Sequence, residues 1–594
     1  MQRLRAVLLP HLEAVIGPSG EGLEWPELLT EPTDGTQGDL ALPCFIFARA
    51  LRQAPASIAE AFAQALRERI PSDVLESIQA SNGYLNVRAS PIWIASNVLA
   101  SAREHGERYG CLDATEEEYL VEHTSANPNG PFHIGRARNA ILGDSLVRLL
   151  RMAGHKVRAE YYVDDLGKQV AILAWSLEHL TSSDVDRILE ADGRKPSGQV
   201  DPWSEKADHT RVRWYQAANL LRKEEASVDE GVADLIHRSE TGDDAALRAF
   251  EEAYQPVLDG MLTTLSRLGV TFDVFTPESK FLLDGSVDRL MLELRASELH
   301  GVAENGAEYL DLGARGLKGK PEFFYRRSDG SSLYATRDLA YHRWKWTQSE
   351  RLINILGEDH RLQSEQVGLT LEELGVRRPE VIFYAFIKLP EGKMSTRAGR
   401  VVFMDDLMEE AIERAREVVL QRRGATDPTL LERISTAVAA SAIRFNIIKV
   451  SPEKGITFRW EEALSFDGGS APFIMYSHTR AVGIHRKVSE VTPEDQSLAW
   501  DDASMGALPE SMLDLLRMLE RTSDVVRSAS DQRRPHLLAK HLLELAQAYN
   551  GFYRDCPVMR DDVVDPLAYA VSEACRHQLR NGMQGIGIVP LDAM

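Results

Sequence analysis

The string Ala126-Asn127-Pro128-Asn129-Gly130-Pro131-Phe132-His133-Ile134-Gly135-Arg136 sets an imidazole and a guanidinium three residues apart around a glycine. At the start of a helix the backbone N–H groups are unpaired and the helix dipole favours an anion. His133 and Arg136 would share one face of the first turn and project toward whatever sits there. Gly135 has no side chain, so a flat base could lie against the backbone. The chemistry that suits this pattern is nucleotide phosphate binding, with Asn129 and Pro131 in the loop that leads into it.

Such a site needs a strand to lead in and a helix to lead out. Residues 119–121 form a short apolar run that predicts a strand, and residues 134–152 have helical periodicity. Gly154 is placed to end that helix, and residues 156–163 read as a second strand. Strand, loop, helix and strand make the building block of a parallel sheet with nucleotide-binding potential. Strand-like pieces return at 308–312, 332–335, 352–356 and 381–386, and fit the second half of a doubly wound sheet. Upstream, residues 1–17 and 55–70 predict helices and residues 83–87 a strand, a small α/β unit. Residues of about 175–260 are strongly charged and helical in pattern, an insertion. From about Asp427 onward the pattern is helical throughout, with apolar faces at 437–450, 509–530 and 535–553.

Composition bounds the rest. The chain has 594 residues, 44% hydrophobic and 27% charged, as in a soluble globular protein of several domains. A net charge of −22 argues against a protein that coats nucleic acid nonspecifically, so any RNA partner requires a local basic face. Four cysteines without a C-x-x-C pair argue against a disulfide framework or a cysteine zinc site, and fit a reducing cytosol. No apolar run reaches the roughly 18 residues a membrane helix needs.

The string Val121-Glu122-His123-Thr124-Ser125-Ala126-Asn127-Pro128, leading into His133-Ile134-Gly135, resembles the first signature of class I aminoacyl-tRNA synthetases, and more narrowly of the arginine-specific ones. About 260 residues downstream, Gly392-Lys393-Met394-Ser395-Thr396-Arg397 resembles the mobile ATP loop of the same family. Gln37-Gly38-Asp39 and residues 58–83 resemble the N-terminal tRNA-contacting module of arginyl enzymes. Phe466-Asp467 and Tyr476-Ser477-His478-Thr479-Arg480-Ala481 resemble the start of their helical anticodon-binding domain, and Asn550, Phe552-Tyr553 and Cys556-Pro557-Val558 its end.

The resemblance implies an α/β protein. A Rossmann-like, doubly wound parallel-sheet catalytic domain with HIGH- and KMSKS-type signatures is expected over 116–426. It is flanked by a small N-terminal α/β domain over 1–115 and a helical-bundle anticodon-binding domain over 427–594. It implies that Mg-ATP activates L-arginine to an adenylate, which then esterifies the terminal 2′-hydroxyl of the arginine tRNA. Catalytic charge would come from His133, Arg136, Lys393 and Arg397. ATP contacts would come from these together with Asn129, Pro131, Gly135, Met394, Ser395 and Thr396. A guanidinium is planar, always charged and donor-rich, so it selects carboxylates and aromatic faces. The resemblance puts Glu122, Ser125, Asn127, Tyr334, Asp338 and His360 around arginine, with His360 where the family usually has glutamine. Arg136 stands where the first signature usually ends in histidine, and Thr396 where lysine is common. Arg444, Lys449, Tyr476 and Arg480 are candidate tRNA contacts, with Phe473, Arg486 and Lys487 beside them. No structural zinc, no membrane association, a monomer and a cytoplasmic location are expected. Two other readings stay open. One is a class I synthetase for another amino acid such as glutamate or cysteine; acidic Glu122 and Asp338 speak against an anionic substrate, and the lack of a cysteine cluster speaks against a thiol-selecting zinc site. The other is a catalytically weakened paralogue that only binds tRNA or a protein partner.

Overall fold

A computed structural model describes residues 1–32, 34–194, 203, 205–388, 403–424, 426–492, 500 and 508–594. The Gln2–Ile16 helix turns Leu4, Leu8, Leu12 and Ile16 inward, the four-residue spacing of a single helical face. It packs on the Pro55–Arg67 helix, which lies against a three-stranded antiparallel sheet of β1 (Leu40–Pro43), β2 (Leu75–Ser81) and β3 (Tyr84–Ala89), with β3 in the middle.

The chain then runs through β4 (Glu118–Glu122), β5 (Lys156–Val163) and β6 (Val274–Pro277). Next come three short strands, β7 (His300–Val302), β8 (Glu308–Asp311) and β9 (Glu322–Arg326), and finally β10 (Arg351–Gly357) and β11 (Glu380–Tyr384). In space the order is β11-β10-β4-β5-β6, all parallel. Tyr119, Leu120 and Val121 are all buried, as a central parallel strand covered on both faces requires. From β4 the chain winds first to one side and later to the other. The crevice beyond the carboxyl ends of β4 and β10 is therefore the switch point at which sheets of this kind take ligands.

The expected helix over 134–152 and strand over 156–163 form with those bounds, and Gly154 turns the chain between them at φ +88°. Two of the expected sheet strands do not join the central sheet. Residues 308–311 pair antiparallel with β7 and β9 in a separate sheet, because the Asn305-Gly306 turn folds the chain straight back on itself. At 332–335 only Ser332 and Leu333 are extended, and Tyr334 opens the Tyr334–Lys345 helix.

Between β5 and β6 lie the helices Lys168–His179, Ser182–Ala191, Ala207–Leu221, Ala226–Glu240 and Asp244–Arg267, which make up the charged insertion. The carboxyl-terminal part is a bundle of the helices Pro428–Ile448, Ala471–Val491, Glu510–Asp531, Pro535–Asp555 and Pro566–Gly585. Among the described residues it departs from the all-helical expectation in a hairpin, Met559–Arg560 against Val563–Val564, turned by Asp561 and Asp562 at positive φ, and in Ile456–Thr457, which pairs parallel with Ile387–Lys388. The four cysteines are free thiols. No helix among the described residues is long and apolar enough to cross a membrane.

Arg444 corrects one expectation. Its side chain is fully buried and donates to Asp144 Oδ2 at 2.5 Å, to the Leu268 carbonyl at 2.9 Å and to the Ile586 carbonyl at 3.2 Å. A guanidinium whose donors are spent inside the core cannot reach a tRNA. It instead ties the helical bundle to the Ile134–Met152 helix, on which Asp144 sits. Replacing Arg444 by methionine would leave Asp144, 2% exposed, with the Arg148 guanidinium 2.7 Å away and the Thr271 N–H at 3.4 Å. Breaking a buried pair from one side costs about 3–5 kcal/mol. Urea unfolding followed by circular dichroism should show a loss near the lower end of that range. A loss under about 1 kcal/mol, the scale of an exposed pair, would contradict this role.

Candidate active site

The exit of β4 is backbone-strained and over-determined. Thr124 and Ser125 have positive φ, 70° and 37°, which is unfavourable for side chains of their kind. Several bonds hold them there. The Thr124 N–H donates to Asn139 Oδ1 at 2.8 Å, and the Asn139 amide donates to the Ile355 carbonyl of β10 at 3.0 Å. Tyr161 donates to the Ala126 carbonyl at 2.6 Å. Ser125 Oγ accepts from the Tyr162 N–H at 3.1 Å and donates to Glu122 Oε1 at 3.1 Å. Asn127 and Asn129 both donate to Gln169 Oε1, at 3.1 and 3.0 Å, which closes the loop against the first helix of the insertion.

One side of the crevice is anionic. Tyr334, Asp338, Tyr341 or His342, and Lys345 recur at helical spacing along the Tyr334–Lys345 helix. Lys345, with no solvent exposure, donates to Glu122 Oε2 at 2.7 Å and to Asn354 Oδ1 at 3.0 Å. Glu122 and Asn354 are cross-strand neighbours in β4 and β10. The Asn354 amide donates to His342 Nε2 at 2.7 Å. His342 Nδ1 therefore carries the ring proton, and faces the Asp338 carbonyl at 2.8 Å and Oδ1 at 3.2 Å. Burial pushes the Asp338 carboxyl up, but His342 with its hydrogen bond, Lys345 and His360 outweigh it and hold the group below the usual carboxylate range. Asp338 is thus ionised and a quarter exposed, with an oxygen to offer. Beneath it Tyr162 stacks on Tyr341 at 4.1 Å, and both phenol oxygens are buried with no hydrogen-bond partner among the described residues.

The other side is cationic. His133 caps the Ile134–Met152 helix without a side-chain bond to it, so the first-turn N–H groups have no side-chain acceptor there. Arg136 is half-buried, its backbone N–H donates to the His133 carbonyl at 3.0 Å, and its guanidinium has no hydrogen-bond or ion-pair partner among the described residues. Burial, then Arg136, pushes the His133 imidazole down to about 4. This corrects the expectation that His133 adds positive charge: in the unliganded protein it is neutral, and Arg136 is the fixed cation. Gly135 has a further reason to lack a side chain, because a Cβ would come within 2.9 Å of His133 Nδ1. Pro131 is buried in the loop. Lys393, Met394, Ser395, Thr396 and Arg397 lie outside the described residues. The chain re-enters at Phe403, which forms a backbone bridge with His133, while the Met404 N–H donates to the Phe132 carbonyl at 2.8 Å.

Glu122, Ser125, Asn127, Asp338, His133 and Arg136 thus gather around the ends of β4 and β10. Tyr334 is 56% exposed at the rim, near Gln363. His360 is half-exposed, 3.3 Å from Gln363 Oε1, and close enough to Asp338 to help hold its carboxyl low. In the helical bundle, Arg480 lies over the rings of Tyr476 and Tyr553, at 4.4 and 5.0 Å. Lys449 is partly buried and reaches the Gly469 carbonyl only at 3.5 Å. Sequence reasoning missed Lys345, Gln169, Asn139 and Gln363. Lys345 had a signal: it falls seven residues after Asp338, on the same helical face.

Known proteins share this layout. Residues 98–460 match the family described as tRNA synthetases class I (R), catalytic domain. Residues 4–89 match the arginyl tRNA synthetase N terminal domain, and residues 474–594 the DALR anticodon binding domain. The chain is 38% identical over 552 residues to a Methanocella arvoryzae protein named arginine–tRNA ligase, covering 93% of this chain and 92% of that one. It is 39% identical to a protein of the same name from Methanothermobacter thermautotrophicus, over 95% of this chain and 94% of that one. The Thermus thermophilus arginyl-tRNA synthetase structure superposes with a TM-score of 0.78 at 25% identity, covering 98% of this chain and 100% of that one.

The charge state of His133 is directly measurable. In the unliganded protein its ring nitrogens, followed by long-range ¹H–¹⁵N correlation, should show a neutral imidazole at pH 7 and protonation only near about 4. A midpoint at or above the ordinary value of 6.5 would contradict the buried, Arg136-facing setting.

Proposed function

The chain belongs to the class I arginyl-tRNA synthetases, and from that premise we propose how the crevice at the switch point carries out the arginine–tRNA ligase reaction. The arginine guanidinium lies against Asp338, with Tyr334 and His360 at the rim and Glu122 on the β4 side. Glu122 is already neutralised by Lys345, so Asp338 supplies the net charge. Ser125 and Asn127 hold the α-amino and carboxylate end. The unpartnered phenols of Tyr162 and Tyr341 support a pocket built to be filled by polar groups.

ATP, carrying its Mg²⁺, lies along the helix start. Adenine sits over Gly135, the phosphates meet Arg136 and the first-turn N–H groups, and Asn129 and Pro131 shape the loop. Neutral His133 donates a hydrogen bond rather than charge. Lys393 and Arg397 bring further cations, with Met394, Ser395 and Thr396 against the nucleotide. The arginine carboxylate attacks the α-phosphate in line, pyrophosphate leaves, and the 2′-hydroxyl of the terminal adenosine then attacks the adenylate carbonyl. Orientation and fixed charge supply the catalysis, and no covalent enzyme intermediate is involved. Residues 1–115 and 427–594 hold the tRNA, the latter through Tyr476, Arg480 and Lys449. The active unit is a single chain in the cytoplasm with no structural zinc.

The observation that carries this reading is an ionised, quarter-exposed Asp338 across the crevice from Arg136, whose guanidinium has no partner among the described residues. Asp338→Asn should weaken arginine binding by about 1.5–3 kcal/mol, roughly tenfold to a little over a hundredfold in arginine KM, with ATP KM unchanged. In the wild type the Asp338 carboxyl is held low, so its contribution is present above the ordinary carboxylate pKa and is lost as pH falls through the depressed one. Equal loss of arginine and ATP affinity in the variant would contradict the assignment. ATP–pyrophosphate exchange with and without tRNA separates a working ligase from a tRNA-binding paralogue.

A further inference from the structure

The charged insertion has a contact that tRNA or substrate binding does not call for. Asp405, two residues after Phe403, is fully buried. Its Oδ2 accepts from Lys206 Nζ at 2.7 Å and from His209 Nε2 at 3.1 Å. Its Oδ1 accepts from Thr264 at 3.0 Å, and Arg267 lies 3.5 Å away. Lys206 also donates to Asp208 at 2.9 Å and to Thr264 at 2.6 Å. All of these partners belong to the insertion. Next to Asp405, Asp406 accepts from Trp203 Nε1 at 3.1 Å, and Glu409 pairs with Arg267.

Asp208, His209 and Asp405 bring their ligand atoms within 4.8 Å of one another, a spacing a metal ion could use. An ammonium is already bonded to both carboxylates, and Arg267 adds a second positive charge. The cluster is therefore charge-matched without a metal, and its meaning lies in what it joins.

It joins the insertion to the joint between the two halves of the ATP side. Phe403 makes the backbone bridge to His133, and the His209 ring meets the Phe403 ring edge-on at 5.1 Å. On the same helix as His209, Val212 presses on Gly130 in the loop before His133. A Cβ at Gly130 would come within 2.7 Å of it. The insertion thus grips the first signature at Gly130 and the returning chain at Asp405.

We propose that Asp405 and Lys206 are positioning residues for ATP: their buried ion pair clamps the insertion against the Phe403–His133 joint, and the helix start that receives the phosphates keeps its geometry through that clamp. A buried ion pair adds little net stability over an apolar pair, but it fixes one arrangement, because every alternative strands a charge. This inference rests on the reading that His133 and Arg136 face ATP.

The test is pyrophosphate exchange by the full-length protein with its tRNA, comparing Asp405→Asn, Lys206→Met and Arg136→Ala with the wild type. In Asp405→Asn and Lys206→Met, ATP KM should rise and the exchange rate fall, together by about tenfold to a hundredfold, while arginine KM stays within about twofold. A purely structural role would instead lower the amount of folded enzyme and leave both KM values unchanged. If Asp405→Asn does not fold, Lys206→Met decides, since it leaves His209, Thr264 and Arg267 on the carboxylate. Unchanged ATP KM in a folded Lys206→Met, or arginine KM rising in the same proportion, would overturn the proposal. Arg136→Ala separates the two levels of the argument. If it raises ATP KM while the clamp variants do not, the clamp alone fails. If it too leaves ATP KM unchanged, the placement of ATP fails.

Discussion

A lysine ammonium shut away from water has to be paired, and Lys345 meets that demand by taking one partner from each of two neighbouring strands. Its bonds to Glu122 and Asn354 lock the Tyr334–Lys345 helix across the place where the sheet order reverses. The same Asn354 turns His342 so that its proton points at Asp338. A relay of five side chains therefore runs from the end of β4 to Asp338, and each bond in it fixes the donor or acceptor sense of the next. Remove the ammonium, and Glu122 is a partly buried carboxylate without that cation, while Asn354 loses the donor that fixes its orientation toward His342 and so toward Asp338.

This constraint gives the crevice two unlike walls. On the helix side the relay leaves one carboxylate in surplus, facing the solvent side of the pocket. On the loop side Arg136 is left without a described anion. The two do not neutralise each other, because the strained Thr124–Ser125 turn, pinned by Asn139 and Tyr162, holds the loop and its helix in place. A substrate pair with a positive end and a polyphosphate end fits that separation, and the rest of the sheet is scaffolding for it. The insertion then acts from outside, pressing on the loop at Gly130 and on the returning chain at Asp405.

The parts legible in the sequence were those with a local code. The Ile134–Met152 helix shows its periodicity and its terminating glycine, and β5 alternates Val157, Ala159, Tyr161 and Val163 with more polar residues, the period of a strand. The first signature stood between β4 and that helix, and the family resemblance named both acidic residues. What sequence could not supply was partnership. Arg444 reads as a basic residue near an RNA-binding region, yet its neighbours Ala439, Ala440, Ile443 and Phe445 are buried, and that apolar run was the sign that it points inward. His133 reads as a cation until burial beside Arg136 takes its charge away. Residues 308–311 have a strand's composition, but composition does not say which sheet a strand will join. Lys345 and Gln169 lie outside both signatures, and only the fold brings them to Glu122 and Asn127.

The most direct measurement is a crystal structure of the protein with L-arginine and a non-hydrolysable ATP analogue bound together. The two-walled crevice predicts the guanidinium within hydrogen-bonding distance of Asp338 and the α-phosphate beside Arg136 at the helix start, with the Lys345–Glu122 bond intact. Arginine bound with its guanidinium away from Asp338, or phosphates with no contact to Arg136, would contradict it.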